Sequence, residues 1–356
     1  MSNGASGQKG TAASLAAGLQ SHIDAIFADT NFIAAAGNWS RVWGPYVYQV
    51  ATSDVADNAL FLAYNATDNT YVLSIAATNS ASKVDWVDED AAAGSLVLLP
   101  NGDGKSHISW GTNVGLAFIS GLGGANNTIV DILASDLPNK STASLVIAGH
   151  SLAGALSPAL GTSLFNAVNG PLAQAGWTAS NLYVLPTAGP SVGDQNYYNL
   201  FTATFPDQTG GFNQLHYNVI DIVPQAWDPK LFNASALLNL YQPNLAASQT
   251  ITNLVNTAMT VPPSPNPYIQ LPATSFNGGF QKVHGVPPFT DPTAAYIAQM
   301  LYQHIYAYVV ALAPNLATLK DTNGNLIFTL INPFTQLKAR AEVTALALDL
   351  EAKYGK

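Results

Sequence analysis

The heptapeptide Gly149-His150-Ser151-Leu152-Ala153-Gly154-Ala155 sets a serine hydroxyl among residues mostly small enough for a strand and a helix to meet at a tight turn. The apolar run Leu145-Val146-Ile147-Ala148 leads in, and a small-residue, helix-like segment, Leu156 to Asn166, leads out. Strand, turn, serine and helix make the context of a nucleophile elbow, in which a strained backbone pushes the hydroxyl out of the sheet. The helix N-terminus then offers N–H groups to a developing negative charge. The strict pattern is G-x-S-x-G, and Ala153 stands where its second glycine falls, with Gly154 next. In a bare turn the same serine would only cap the helix. Its partners decide between the two readings.

A serine hydroxyl is a poor nucleophile near neutral pH. It needs a base, normally His, and the base needs an acid to fix its tautomer. One known chain order is serine, then acid, then His. Asp221 is the candidate acid, because it ends the apolar segment Tyr217-Asn218-Val219-Ile220 and so reaches the same sheet rim as the elbow. Asp194, Asp207 and Asp228 compete: Asp194 follows Gly193 in a loop, and Asp228 lies well past the strand end. Three histidines follow Ser151: His216, His284 and His304. His216 precedes the acid at the start of the same strand, which is the wrong order and place. His284, in a Pro-rich stretch, and His304, in Gln303-His304-Ile305-Tyr306-Ala307-Tyr308, both stay open on this reasoning.

Four segments together resemble the class 3, fungal-type triacylglycerol lipases. Gly149–Ala155 is similar to the family's GHSLGGA, departing at Ala153. Thr187-Ala188-Gly189-Pro190-Ser191-Val192-Gly193-Asp194 is similar to its FGxPRVGN stretch without the Arg. Asn218-Val219-Ile220-Asp221-Ile222-Val223-Pro224 carries its D-x-V-P. Ser74-Ile75-Ala76-Ala77-Thr78-Asn79, followed by Asp85-Trp86, falls where the family has an RGT strand end and the start of a lid. The resemblance spans roughly residues 45–310. It implies an α/β-hydrolase fold and an ester-cleaving triad of Ser151, Asp221 and His304, favouring His304 over His284. It also implies an oxyanion hole at the Leu152 amide and at Thr78. The Arg and Gly of the RGT pattern are replaced by Ala76 and Ala77. The implied activity is that of a serine carboxylic-ester hydrolase, first a lipase acting at a lipid–water interface. An esterase, phospholipase or polyester hydrolase with the same triad is the alternative, and a non-catalytic binding protein on the same fold is another.

These residues need elements to hold them. Leu15, Leu19, Ile23 and Ile26 recur at helical spacing and predict a helix packed on the outside of the domain. Residues 1–40 thus form a tail and a packing helix, and 41–356 the hydrolase domain. Ala59–Tyr64 and Tyr71–Ala76 predict a hairpin, Thr112–Ser120 a helix, and Leu182–Pro186 and His216–Ile220 strands. Residues 80–104, with Trp86 and an acidic cluster, form a candidate lid. Residues 228–292 hold many prolines and read as an insertion, helical near Ala234–Leu240 and Ile251–Met259. Tyr296–Leu312 predicts one helix, Thr322-Asn323-Gly324-Asn325 a turn between short strands, and Pro333–Lys356 a mostly helical tail. Strands alternating with helices predict an α/β architecture, a mainly parallel central sheet with helices on both faces.

Composition limits the partners. Of the 356 residues 48% are apolar, and only 9% are charged, against roughly 25% in an average soluble protein. The surface is therefore covered mainly by uncharged polar residues, which suits an extracellular protein, and the resemblance points the same way, although no signal peptide is seen. A net charge of −9 with 12 basic residues argues against nucleic acid and against electrostatic binding to anionic lipid. No cysteine is present, so disulfides and thiolate chemistry are excluded. No run approaches the length of a transmembrane helix. A Ser-His-Asp mechanism requires no metal and no organic cofactor.

Overall fold

The structure, a computed structural model, describes residues 1–5, 7–77, 93–135, 137–206, 209–281, 289–328 and 337–355. Its centre is a seven-stranded sheet ordered β1-β2-β3-β6-β7-β9-β11. These strands are β1 (Trp39–Tyr48), β2 (Asn58–Asn65), β3 (Thr70–Ile75), β6 (Ser144–His150), β7 (Leu182–Thr187), β9 (Leu215–Asn218) and β11 (Ala273–Phe276). β1, β2 and β3 are antiparallel neighbours, and every pairing from β3 to β11 is parallel. A small antiparallel sheet, β10-β8-β5-β4, is formed by β4 (Leu96–Leu98), β5 (His107–Ser109), β8 (Gly193–Asp194) and β10 (Tyr268–Ile269). The expected α/β architecture with a mainly parallel sheet is the one observed.

Side-chain periodicity accounts for the layers. Alternate residues of a strand face opposite sides of its sheet. In β2, Leu60 and Leu62 join the main core, whereas Ala59, Phe61 and Ala63 join a second cluster under the N-terminal helix. That helix, Ala12–Ala28, buries Leu15, Leu19, Ile23 and Ile26, the four residues singled out by spacing, and Thr11 caps it through Ser14 N. The central strand β6 is flanked on both edges, and Leu145, Val146 and Ile147 are all buried, as a continuous apolar run requires. Helices Trp110–Ser120, Leu152–Phe165 and Gln195–Thr204 cover the face opposite the N-terminal helix.

A separate helical layer follows β9. Helices Ala234–Leu238, Gln249–Ala258, Pro292–Leu301 and Leu337–Tyr354 enclose a core of Leu237, Tyr241, Ile251, Val255, Tyr296, Ile297, Val343 and Ala347. The Pro-rich stretch 228–292 supplies two of these helices' cores but also β10 and β11, so it is woven into both sheets. Three expectations change in detail. Tyr296–Leu312 is not one regular helix, because a π-helical turn at Tyr302–Tyr306 separates Pro292–Leu301 from Ala307–Leu312. The strand expected to run to Ile220 stops at Asn218, whose side chain accepts from Ile220 N and Gly278 N and so turns the chain. The turn at Thr322–Asn325 is closed by a single bridge, Lys320 to Leu326, rather than by two strands.

Of the candidate lid, residues 80–92 lie outside the described residues, Trp86 among them. The remainder is built into the body. β4 pairs with β5, Leu99 is buried in the main core, and the Ala93 carbonyl accepts from the Tyr268 hydroxyl. Among the described residues no helix is long and apolar enough to cross a membrane.

Candidate active site

Ser151 joins β6 to the helix Leu152–Phe165 with φ +60° and ψ −124°, a conformation that side chains rarely adopt. Its hydroxyl makes no capping bond to that helix. The turn closes because its neighbours lack bulk. A Cβ on Gly149 would overlap the Ala153 carbonyl and come within 2.7 Å of the Ala153 methyl. The severest overlap is with the backbone of residue 153, so Gly149 must be glycine whatever stands there, and with no side chain at 149 the Ala153 methyl meets nothing from it. Gly154 lets the helix touch the end of β7, where a Cβ would overlap the Thr187 carbonyl and sit 2.8 Å from Gly189 N. The segment Thr187–Asp194 is therefore the wall against which the elbow rests. Ser151 N donates to Thr187 O at 3.0 Å, so this amide is engaged. Leu152 is the first residue of the helix, so its N–H is among those that have no partner within the helix.

The structure brings Ser151, His304 and Asp221 together. His304 Nε2 lies 2.7 Å from Ser151 Oγ, and His304 Nδ1 lies 2.8 Å from Asp221 Oδ2. Only 1% of the Asp221 side chain is accessible, against 14% for His304, so solvent reaches the imidazole but not the acid. Three donors converge on the carboxylate: Val223 N on Oδ1 at 3.1 Å, and His304 Nδ1 and the Tyr308 hydroxyl on Oδ2, each at 2.8 Å. Burial, and then the charge of Asp221, push the Tyr308 phenol well above its ordinary range, so it stays a donor. Its oxygen in turn accepts from Asn218 N at 2.9 Å. With Nδ1–H given to Asp221, the Nε2 lone pair faces the serine hydroxyl.

The π-turn that carries His304 is fastened by side chains from two strand ends. Asn218, last in β9, donates from Nδ2 to Gln303 Oε1 at 2.7 Å and to Gln303 O at 3.1 Å. His150, last in β6, lies with Nε2 2.7 Å from the His304 carbonyl. Sequence reasoning missed both residues, although each lies inside a motif it used. Among the other sequence candidates, Asp194 caps the helix Gln195–Thr204 and pairs with His107 Nδ1 at 3.0 Å. Asp228 is spent on the amides of Lys230 and Gln270. His216 Nε2 is taken by the Gly211 carbonyl. His284, Asp207 and Thr78 lie outside the described residues. Among the described residues no group of His, Asp and Glu could hold a metal ion.

The model of the family described as "Lipase (class 3)" matches residues 65–229, the stretch from the end of β2 past the elbow and Asp221. No curated protein matches the chain by sequence. Among solved structures, M37 lipase is similar with a TM-score of 0.65 and 22% identity, covering 87% of this chain and 90% of that one, and this likeness shows the fold. The Rhizomucor miehei triacylglyceride lipase gives a TM-score of 0.41 at 18% identity, over 57% of this chain and 65% of that one. The Yarrowia lipolytica lipase gives 0.42 at 18% identity, over 55% and 63%.

Proposed function

We propose that this chain, whose residues 65–229 match the class 3 lipase model, is a carboxylic-ester hydrolase of the triacylglycerol-lipase type, with Ser151 as nucleophile, His304 as base and Asp221 as its orienting acid. The hydrogen-bonded line from Ser151 Oγ through His304 to Asp221 Oδ2 is the observation that carries this reading. Ser151 Oγ attacks the ester carbonyl while His304 Nε2 takes its proton. The resulting imidazolium is stabilised by Asp221 and returns the proton to the departing alcohol. Water then enters, deprotonated by the same imidazole, and releases the acid from the acyl-enzyme. The Leu152 amide and Thr78 stabilise the oxyanion in both steps, each worth about 3 kcal/mol of barrier.

We read the substrate as an acylglycerol ester presented at a lipid–water interface. Hydrolysis of p-nitrophenyl esters from C2 to C16, by the wild type and by Ser151→Ala, tests the reading. The variant is expected to lose roughly 10⁴-fold or more of kcat while remaining folded. Substantial turnover by Ser151→Ala would remove the serine from the mechanism. A wild type that prefers long, emulsified esters supports a lipase. A preference for C2 to C4 esters in solution would leave the triad and replace the lipase with an esterase.

A further inference from the structure

We infer that His150, the residue before the nucleophile, is a positioning residue that sets the base by holding the backbone of the π-turn; the inference rests on the triad reading above. The His304 carbonyl can only accept, so His150 Nε2 must carry the hydrogen of their 2.7 Å bond. Burial first, and the neighbouring His304 second, hold the His150 pKa down at about 3, so its ring is neutral at working pH. Nδ1 is then the acceptor, and the Thr187 hydroxyl, 2.9 Å away, is its donor. The carbonyl end thus fixes the tautomer, and the Thr187 hydroxyl, which also lies 3.3 Å from the Gly149 carbonyl, turns to suit it.

The connection runs between backbones. Thr187 receives Ser151 N on its carbonyl and orients His150 through its hydroxyl. His150 is bonded covalently to Ser151 and grips the carbonyl of the residue that supplies the base. The distance between nucleophile and base is therefore spanned by one rigid imidazole. The ring also packs tilted on the His304 ring, centroids 5.1 Å apart, and edge-on to Tyr308 at 5.0 Å. A π-turn bonds each amide one residue further back than an α-helix does, as Ala307 N does to Tyr302 O. Within it, Asn218 and His150 reach the carbonyls of successive residues, Gln303 and His304.

Three variants test this. In His150→Gln the amide nitrogen reaches the position of imidazole Nε2 and restores the donor. In His150→Asn the side chain stops near Nδ1 and cannot. His150→Phe keeps the packing and removes the donor. On a soluble short-chain ester, His150→Phe and His150→Asn are expected to lose tenfold or more of kcat with KM within twofold. His150→Gln is expected to recover to within threefold of wild type. The rate of Ser151 labelling by a fluorophosphonate should fall and recover in the same order. Equal activity in the Gln and Asn variants would overturn the inference, as would full kcat in the Phe variant. If His150→Phe does not fold, the Gln and Asn pair still decides. An inactive wild type, or an active Ser151→Ala, would instead refute the triad reading on which the inference rests.

Discussion

Ser151 stands where β6 meets the helix Leu152–Phe165, and backbone packing places it; His304 stands on the helical layer, and side-chain hydrogen bonds place it. At the elbow, space is the constraint. Gly149 faces Ala153, Gly154 faces the end of β7, and Ser151 is held at positive φ between them. Around His304, donors and acceptors are the constraint. His150, Asn218 and Tyr308 each bond either to the π-turn or to Asp221. The first arrangement fails when a methyl group is added, the second when a polar atom is removed. A sheet core tolerates no volume it was not built around, whereas a turn between helices is held by the few polar groups that reach it.

The comparison can be broken most severely at Gly149. In Gly149→Val the new side chain meets Ala153, which belongs to the same turn and cannot withdraw. A loss of stability on the order of 3–5 kcal/mol is expected in urea denaturation, together with loss of fluorophosphonate labelling. An unchanged midpoint would show that the elbow is less tightly packed than described. Next comes Tyr308→Phe, which adds no volume and strands the buried Asn218 amide. It should cost about 1–3 kcal/mol of stability and lower kcat roughly tenfold through the lost bond to Asp221. Retention of wild-type kcat would confine Tyr308 to a structural part.

A smaller effect is expected from pH. His150 is neutral in the folded protein down to about pH 3, whereas the unfolded chain takes up that proton near 6.5. Between those values the unfolded state binds more protons, so this residue's contribution to stability is complete above about 6.5 and is lost as pH falls towards 3. His150→Gln should flatten the slope of unfolding free energy against pH in that window. An identical slope in both proteins would assign it to other groups. The smallest change should come from Ala153→Gly, which restores the strict elbow pattern. With Gly149 already bare, the glycine relieves nothing, and its backbone freedom in a buried helix should cost about 0.5–1 kcal/mol. A rise in stability would mean that the Ala153 methyl is strained.

Much of the sheet half was legible in the residues. The run Leu145–Ala148 reads as a buried strand and becomes β6; the hairpin about Asn65–Asn69 becomes β2 and β3. Leu15, Leu19, Ile23 and Ile26 mark the inner face of the first helix. Such features are legible because each depends on residues close in sequence, through periodicity or the room a turn needs. The helical half was less so. Prolines rightly argued against long strands in 228–292, yet β11 is only four residues long and forms by pairing with β9, a partner no local pattern names. The interruption at Tyr302–Tyr306 left no mark in a sequence that reads as one helix, because distant side chains stabilise it. For His304 and His284 the spacing left the question open, and only the family resemblance leaned towards His304.

The sequence by itself determined the tight strand-to-helix turn at Ser151 and the α/β arrangement of strands and helices. Local sterics and apolar periodicity are written into neighbouring residues, and a cysteine-free, weakly charged composition excludes whole classes of chemistry without any fold. Only the tertiary structure decided which polar atoms meet. His304 is joined to Ser151 across 153 positions, to His150 across 154 and to Asp221 across 83. Hydrogen bonds over such separations depend on ångström-scale placement by the whole core, and the chain reaches that precision only when its layers have packed.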